Sequence, residues 1–328
     1  MREKTSENFI SERDIDIVNK FYKKRMSKSE IAAATGLSRQ TIAAIIQKMI
    51  DKNVVEFQIN SPFHLNTILS EKLSSLGDIK KAIVVQDPDN DIQKQRKTIC
   101  AVVSQWLSEN VRPHETIGIG WGQIVSELST NYNGDEKKGT LLIPLLGGFA
   151  KFNPRIQVDE VIRSLAEKMK ADYLTLYAPI FTSTYESREF ILQSKNVSSV
   201  IDYWDHLDYA VFRILDLRLP NSSTSTDYET LTYENRKLLL NKGAVGNICW
   251  RYHDINGNSV WDDSLNLFPI SISPDNLRKT KMKIGMVNGP ERAESVIGAM
   301  RGKLIDLLIT DAPTAEKIIN IYEKEERS

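Results

Sequence analysis

A glycine-rich stretch near the middle of the chain has the residue types and spacing of an anion-binding loop. Residues 116–119 (TIGI) are typical of a short strand, and an amphipathic helix pattern begins at Gln123 after two closely spaced glycines. The free N–H groups of such a loop and the positive end of the helix dipole converge on one point. We therefore predict that a phosphate group contacts Gly120, Trp121, Gly122 and Gln123. The alternatives are a plain tight turn and, for Trp121, packing in the core.

A second candidate site lies in the first sixty residues, whose pattern is that of a helix-turn-helix. Ser27 and Glu30 have the spacing of a capping box, which predicts a helix over residues 28–35. Gly36 permits the left-handed turn that ends this helix. Ser38 then caps a second helix, predicted over residues 39–51.

The second helix of such a motif enters the major groove of DNA with its first residues facing the base edges. Arginine suits guanine and glutamine suits adenine. We predict contacts to base edges by Ser38, Arg39, Gln40 and Thr41, and contacts to phosphates by Lys28 and Lys48. Residues 54–59 (VVEFQI) alternate and predict a β-wing, so the motif is a winged helix-turn-helix for double-stranded operator DNA. An Ala-rich three-helix cluster without a DNA role would show the same spacing.

The composition is that of a globular protein with two domains. The chain has 328 residues, of which 41% are hydrophobic and 26% charged, and its formal net charge is zero. Contact with nucleic acid must therefore come from a local patch. Cys100 and Cys249 lie in apolar runs, which fits a reducing compartment. The N-terminus is polar, and no run approaches the roughly 20 apolar residues of a membrane helix. We expect a cytoplasmic protein without membrane contact.

From residue 79 onward, apolar strand patterns alternate with amphipathic helix patterns. This alternation predicts a mostly parallel, doubly wound α/β sheet with helices on both faces. Ligands of such sheets bind at the carboxyl ends of the strands. Glycine loops at 120–122, 147–148 and 288–289 each follow a predicted strand, so we expect them to cluster at that edge. They add Gly147, Gly148, Asn288 and Gly289 to the candidate ligand contacts, although the first two glycines could instead relieve crowding.

Breaks between the predicted elements divide the chain into three segments. Residues 1–61 form the winged helix-turn-helix, residues 62–78 a linker helix, and residues 79–328 a domain for ligand sensing and oligomerisation. Within the linker, residues 65–76 carry a near-heptad stripe of leucine and isoleucine. This stripe could pair with a second copy of the chain or pack against its own domain.

Six motifs occur in an order that is specific as a set. They are SEIAAATGLSRQTIAAII at 29–46, IGIGWG at 117–122, LIPLLGG at 142–148, KGAVGNI at 242–248, VNGPERAESVIGAMRG at 287–302 and LLITDAPTA at 307–315. Together these motifs resemble the SorC family of bacterial sugar-catabolism regulators, and the resemblance spans nearly the whole chain.

The resemblance implies a C-terminal domain with a fold similar to sugar-phosphate isomerases and glucosamine-6-phosphate deaminase. It also implies that a phosphorylated sugar binds this domain and alters DNA binding, and that the protein is a homo-oligomer, a dimer or tetramer. By the same resemblance, the 120–123 loop would hold phosphate and Asn247 would meet sugar hydroxyls. Arg292 stands where the family usually has lysine.

Several positions depart from the family's pattern. Asn247 replaces an acid, Arg292 a lysine and Asn288 a glycine. Residues 212–215 lack the usual glycines, and residues 42–46 lack an arginine and a serine that could touch DNA. An arginine is always charged, whereas asparagine cannot act as a base. We therefore expect a pocket that persists but whose ligand differs from the family's usual one.

Two other functions remain open beside an effector-responsive regulator. The C-terminal domain could serve only for oligomerisation, or the chain could be an enzyme of the isomerase or deaminase type. Such an enzyme needs a general base or a nucleophile, and Asn247 and Arg292 supply neither. We expect no cofactor. We also expect no metal, since the four histidines share no metal-type spacing with cysteines or carboxylates.

Overall fold

The computed structural model describes residues 10–52, 54–55, 64–87, 89, 91–149, 157–218 and 231–326. The chain divides into two compact units, Met1–Ser61 and Pro62–Ser328. Each unit has its own buried apolar core. Among the described helices, none is both long and apolar enough to cross a bilayer.

The first unit is a cluster of three helices. They are α1 (Glu12–Tyr22), α2 (Lys28–Thr35) and α3 (Arg39–Asp51). Four isoleucines from the three helices form the buried centre of this cluster: Ile17, Ile31, Ile42 and Ile46. The ranges predicted for the two helices of the helix-turn-helix are confirmed.

Short-range hydrogen bonds fix the ends of α2 and α3. The Ser27 hydroxyl accepts from the Glu30 N–H at 3.2 Å, and the Glu30 carboxylate accepts from the Ser27 N–H at 2.8 Å. This is the predicted capping box. Gly36 ends α2 with a φ of 68°, where glycine carries no steric cost. The predicted β-wing lies outside the described residues except for Val54 and Val55, which form a bend.

The second unit alternates strands and helices along the chain. Its helices are α4 (Thr67–Ser74), α5 (Ile92–Asn110), α6 (Gln123–Asn131), α7 (Val158–Met169), α8 (Tyr185–Leu192), α9 (Lys195–Ile201), α10 (Tyr233–Asn241), α11 (Pro274–Lys279), α12 (Ala293–Arg301) and α13 (Ala312–Glu326). Its strands are β1 (Lys81–Val85), β2 (Thr116–Ile119), β3 (Leu141–Pro144), β4 (Asp172–Tyr173), β5 (Phe181–Thr182), β6 (Tyr209–Arg213), β7 (Leu215–Asp216), β8 (Gly246–Ile248), β9 (Arg251–His253), β10 (Ser259–Val260), β11 (Phe268–Pro269), β12 (Met282–Met286) and β13 (Leu307–Asp311).

Seven of these strands form one parallel sheet, in the spatial order β1-β13-β12-β6-β2-β3-β4. Every neighbouring pair in it runs parallel. Helices α5, α6 and α7 pack in succession as one layer, and α4, α13 and α12 pack in succession as another. The predicted fold class, a doubly wound α/β domain, is confirmed.

Two smaller sheets were not predicted. Strands β10-β9-β8-β7 form an antiparallel sheet, and β11 pairs with β5. The single strand predicted over residues 209–215 is divided at Ile214, so β6 belongs to the large sheet and β7 to the small one. Strands of two or three residues are too short to show the alternation on which a sequence prediction depends.

Helix α4, predicted as part of a linker, packs against the edge strand β1 of its own unit. The Ser74 hydroxyl accepts from the Ala82 N–H at 2.8 Å, and the Ser70 hydroxyl accepts from the Val84 N–H at 2.9 Å. Leu73 is fully buried in the core of the second unit. Leu69, Leu73 and Leu76 of this stripe therefore pack against their own domain, whereas Ile68 is 77% exposed.

We expect Ser27→Ala to destabilise the first unit by about 1 kcal/mol, because the N-cap and the capping box of α2 are lost. Native-state hydrogen exchange of the full chain would show this as about fivefold faster exchange of the α2 and α3 amides. Ser29→Ala, an exposed change in the same helix, is the matched control. Equal effects of the two substitutions would contradict the role of the cap.

Candidate functional site

The glycine loop predicted to bind an anion connects β2 to α6 at the carboxyl edge of the large sheet. Gly122 is the N-cap of α6 with a φ of 108°, and no side chain in the described part of the chain caps this helix. The N–H groups of the first turn therefore remain available to an anion. Gly120 crosses closely over β6, since a Cβ on it would lie 2.8 Å from that of Phe212.

A small cleft of about 50 Å³, partly open to solvent, lies in front of this helix terminus. It is lined by Arg96, Gln123, Ile124, Arg213, Ile214, Leu215, Met286, Val287, Asn288 and Arg292. Three of these residues carry guanidinium groups, and none carries a carboxylate. Glu127 pairs with Arg96 at 3.3 Å, and Glu291 pairs with Arg292. The arginines, their two partners and the helix dipole together leave the cleft positive, which favours an anionic ligand.

Arg213 is a member of this site that sequence reasoning missed. It ends β6 and is only 9% exposed, and its guanidinium carbon lies 4.2 Å from the centre of the Trp121 ring. A Cβ on Gly122 would lie 2.2 Å from the Arg213 Nε, so the absent side chain of Gly122 is what admits the arginine. The available signal was a charged residue at the end of an apolar parallel strand.

Arg292 and Asn288 meet in the loop after β12. The Arg292 Nη1 donates to the Asn288 carbonyl at 2.7 Å, which holds the guanidinium at the cleft. Gly289 contributes differently, because its N–H donates to the Asp311 carboxylate at 2.8 Å. Asp311 also accepts from the Thr314 N–H at 2.9 Å, which caps the start of the last helix. Of the residues predicted in this loop, Asn288 and Arg292 line the cleft and Gly289 supports it.

Gly147 and Gly148 follow β3 at the same edge of the sheet but do not line the cleft. The Gly147 N–H donates to the Ile270 carbonyl and the Gly148 N–H to the Ala178 carbonyl, both at 2.9 Å. A Cβ on Gly147 would lie 2.5 Å from the Pro179 carbonyl oxygen. The structure thus supports the alternative in which Gly147 relieves crowding.

Trp121 belongs to a buried aromatic cluster. Its ring stacks on Trp250 with centroids 6.0 Å apart and contacts Phe149 at 4.6 Å. It is 2% exposed, so it packs in the core and reaches the cleft only through Arg213. Cys249 is buried beside this cluster, and burial raises the pKa of its thiol to about 12. The thiol therefore stays neutral at pH 7 and adds no negative charge to this region.

Asn247 lies one strand away from the cleft wall. It is paired with Leu215 across β8 and β7, and Leu215 lines the cleft. The Asn247 side chain is 6% exposed, and its Oδ1 atom has no hydrogen-bond partner among the described residues. A buried oxygen without a donor costs about 1–3 kcal/mol. A ligand hydroxyl that reached it would recover this cost.

In the first unit, the side chains predicted to contact DNA differ in whether they already form hydrogen bonds within the protein. Ser38 accepts from the Thr41 N–H at 3.0 Å, and the two hydroxyls lie 2.8 Å apart, so both belong to the helix cap. Arg39 and Gln40 are exposed.

Both lysines predicted to contact phosphates also contact their own unit. Lys48 lies 3.7 Å from the Asp14 carboxylate of α1, and the Lys28 ammonium lies 5.8 Å from the centre of the Phe21 ring. No group of three or more possible metal-ligating side chains occurs in the described part of either unit.

Two family profiles together match most of the chain. Residues 59–320 match a sugar-binding domain, and residues 13–56 match a winged helix-turn-helix DNA-binding domain. The chain belongs to the SorC family of sugar-binding transcriptional regulators. The sorbitol operon regulator of Klebsiella pneumoniae is 25% identical over 308 residues, which cover 93% of this chain and 96% of that protein. The deoxyribonucleoside regulator of Bacillus subtilis is 25% identical over 310 residues, with the same coverage.

Solved structures of SorC regulators share the fold. The full-length sorbitol operon regulator SorC from Klebsiella pneumoniae has a TM-score of 0.70 and 25% identity, over 94% of this chain and 98% of that one. The probable sor operon regulator from Shigella flexneri has a TM-score of 0.69 and 27% identity, over 77% of this chain and 99% of that one. These relatives are regulators, and this SorC member is a transcriptional regulator rather than an enzyme.

We expect Gly122→Ala to destabilise this SorC regulator by about 2 kcal/mol, because a φ of 108° is unfavourable for alanine and the new Cβ meets Arg213. Gly148→Ala is the control, since a Cβ there has nothing within 4 Å, and it should change stability by less than about 0.5 kcal/mol. Urea unfolding followed by tryptophan fluorescence measures both. A harmless Gly122→Ala would contradict the close contact with Arg213.

Proposed function

We propose that the chain regulates a carbohydrate-catabolism operon by binding a phosphorylated sugar in the arginine-lined cleft. The observation that carries the proposal is the convergence of the uncapped α6 terminus with Arg96, Arg213 and Arg292. A phosphate dianion suits this environment because it accepts hydrogen bonds from both backbone N–H groups and guanidinium forks. The names of the sorbitol operon and deoxyribonucleoside regulators support a carbohydrate ligand.

In this proposal, residues 1–61 bind operator DNA, residues 62–78 join the units, and residues 79–328 sense the effector. Arg39 and Gln40 contact base edges, Ser38 and Thr41 hold the helix start, and Lys28 and Lys48 lie near phosphates. The effector acts by binding better to one of two states that differ in operator affinity. This regulation takes place in the cytoplasm, where the operator DNA is located.

In the second unit, the backbone N–H groups at the Gly122–Gln123 end of the loop hold the phosphate together with Arg292, and Asn247 accepts from a sugar hydroxyl. The Gly120 N–H takes no part, since it donates to the Val211 carbonyl at 2.8 Å. Gly147, Gly148 and Gly289 shape the surrounding loops. The regulator also self-associates as a dimer or tetramer. Exposed aromatic side chains support this, since Tyr177 is 77% exposed and Phe190 is 79% exposed.

A thermal-shift titration of the full chain tests the ligand class. Glucose 6-phosphate and fructose 6-phosphate should stabilise the protein more than glucose and fructose, because only the phosphate engages the arginines. A sugar phosphate at a hundred times its Kd would add about 2.7 kcal/mol. Equal stabilisation by the free sugars would contradict the proposal that the ligand is phosphorylated.

Arg292→Ala should weaken sugar-phosphate binding by about ten- to a hundredfold, since hydrogen bonds to charged groups contribute about 1.5–3 kcal/mol. Isothermal titration calorimetry measures the change. Arg278→Ala is the control, because Arg278 is exposed and precedes β12 at the opposite edge of the sheet. An unchanged effector response in Arg292→Ala would favour a second unit that serves only for oligomerisation.

A further inference from the structure

One side of α3, the helix proposed to enter the DNA groove, is uncharged beyond Arg39. Gln40, Ala43, Ala44 and Gln47 of α3 have the spacing i, i+3, i+4, i+7, which aligns them along one side of a helix. We call these four residues the glutamine–alanine ridge. Gln40, Ala44 and Gln47 are exposed and Ala43 is half-buried, whereas Ile42, Ile46 and Met49 on the other side are buried. Helix-turn-helix variants read bases with this same spacing.

The two glutamines have the hydrogen-bonding pattern that adenine requires. A glutamine amide offers one acceptor oxygen and an N–H donor side by side, and adenine presents the N6 amino group and the N7 acceptor in the major groove. Guanine presents two acceptors instead, and a guanidinium or ammonium group reads it better. None of the four ridge residues carries a charge, so the ridge favours adenine over guanine.

Gln47 is held in an orientation that leaves this pattern intact. Its Nε2 donates to the Asp51 carboxylate at 2.9 Å, one turn further along α3. That bond uses one of the two amide hydrogens and leaves the other hydrogen and the Oε1 acceptor for a base. Asp51 therefore positions Gln47 before DNA binds, which lowers the conformational entropy lost on contact.

Between the glutamines, the ridge presents two methyl groups. Alanine side chains contact the C5-methyl of thymine, a group that guanine and cytosine lack. Gln40 and Gln47 are separated by seven residues, or about 10 Å along the helix, which corresponds to about three base-pair steps. In the major groove, the methyl groups of Ala43 and Ala44 would therefore face the base pairs between those read by Gln40 and Gln47.

We propose that the operator half-site of this regulator contains a run of about four A·T base pairs, with adenines read by Gln40 and Gln47 and thymine methyl groups read by Ala43 and Ala44. Arg39, at the first position of α3, would read a guanine beside this run. The inference rests on the proposed DNA-binding role of α3 and adds the base composition that α3 recognises.

Selection of binding sites from random double-stranded oligonucleotides tests the proposal, with the full chain in the presence and absence of glucose 6-phosphate. The expected product is a half-site with an A·T run. In Gln40→Ala and Gln47→Ala, discrimination at one base pair each should fall about five- to a hundredfold. Gln105→Ala is the matched control, because Gln105 makes the same i, i+4 bond to Glu109 on α5, at 2.6 Å.

A second measurement does not depend on the folding of any variant. Replacing thymine by uracil in the selected half-site removes only the methyl groups, and should weaken binding by the unaltered protein about fourfold for each methyl in contact. A selected half-site with G·C pairs at its centre, or unchanged affinity for the uracil site, would overturn the base assignment alone. Selection of no sequence in either condition would overturn the DNA-binding role together with it.

Discussion

The close approach of Arg213 to the backbone of Gly122 is the constraint on which the cleft depends. Arg213 is the last residue of β6, the central strand of the seven-stranded sheet. Its guanidinium is nearly buried, and the face of Trp121 provides part of the electrostatic compensation that a buried cation requires. Parallel strand order then brings the loops after β2, β6 and β12 together, so one fixed cation organises contributions from three separate parts of the chain.

An element of this structure can be predicted from the sequence when the interactions that form it are local. The ends of α2 and α3 follow from bonds within three or four residues, such as that of Ser27 with Glu30, and they were predicted to the residue. Apolar strand runs revealed the parallel sheet. The role of Arg213 could not be predicted, because its contacts with Trp121 and Gly122 join segments about ninety residues apart and depend on strand order. The antiparallel sheet was not predicted, because its strands are too short to show the alternation of buried and exposed residues.

The two units use positive charge in different ways. In the second unit, three guanidinium groups line one cleft, and the acidic partners of Arg96 and Arg292 are not among the lining residues. In the first unit, Lys48 and Lys28 are engaged with Asp14 and Phe21. Because the chain as a whole has no net charge, attraction for an anionic partner must come from local positive patches.

The serine hydroxyls of α4 have a consequence for how this protein can assemble. Ser70 and Ser74 occupy the outward N–H groups of β1, so this edge of the large sheet offers no row of vacant donors to another strand. Two copies cannot join here by extending one sheet into the next. Assembly on this side must use side-chain surfaces, which can separate and re-form without disturbing the hydrogen bonds of the fold.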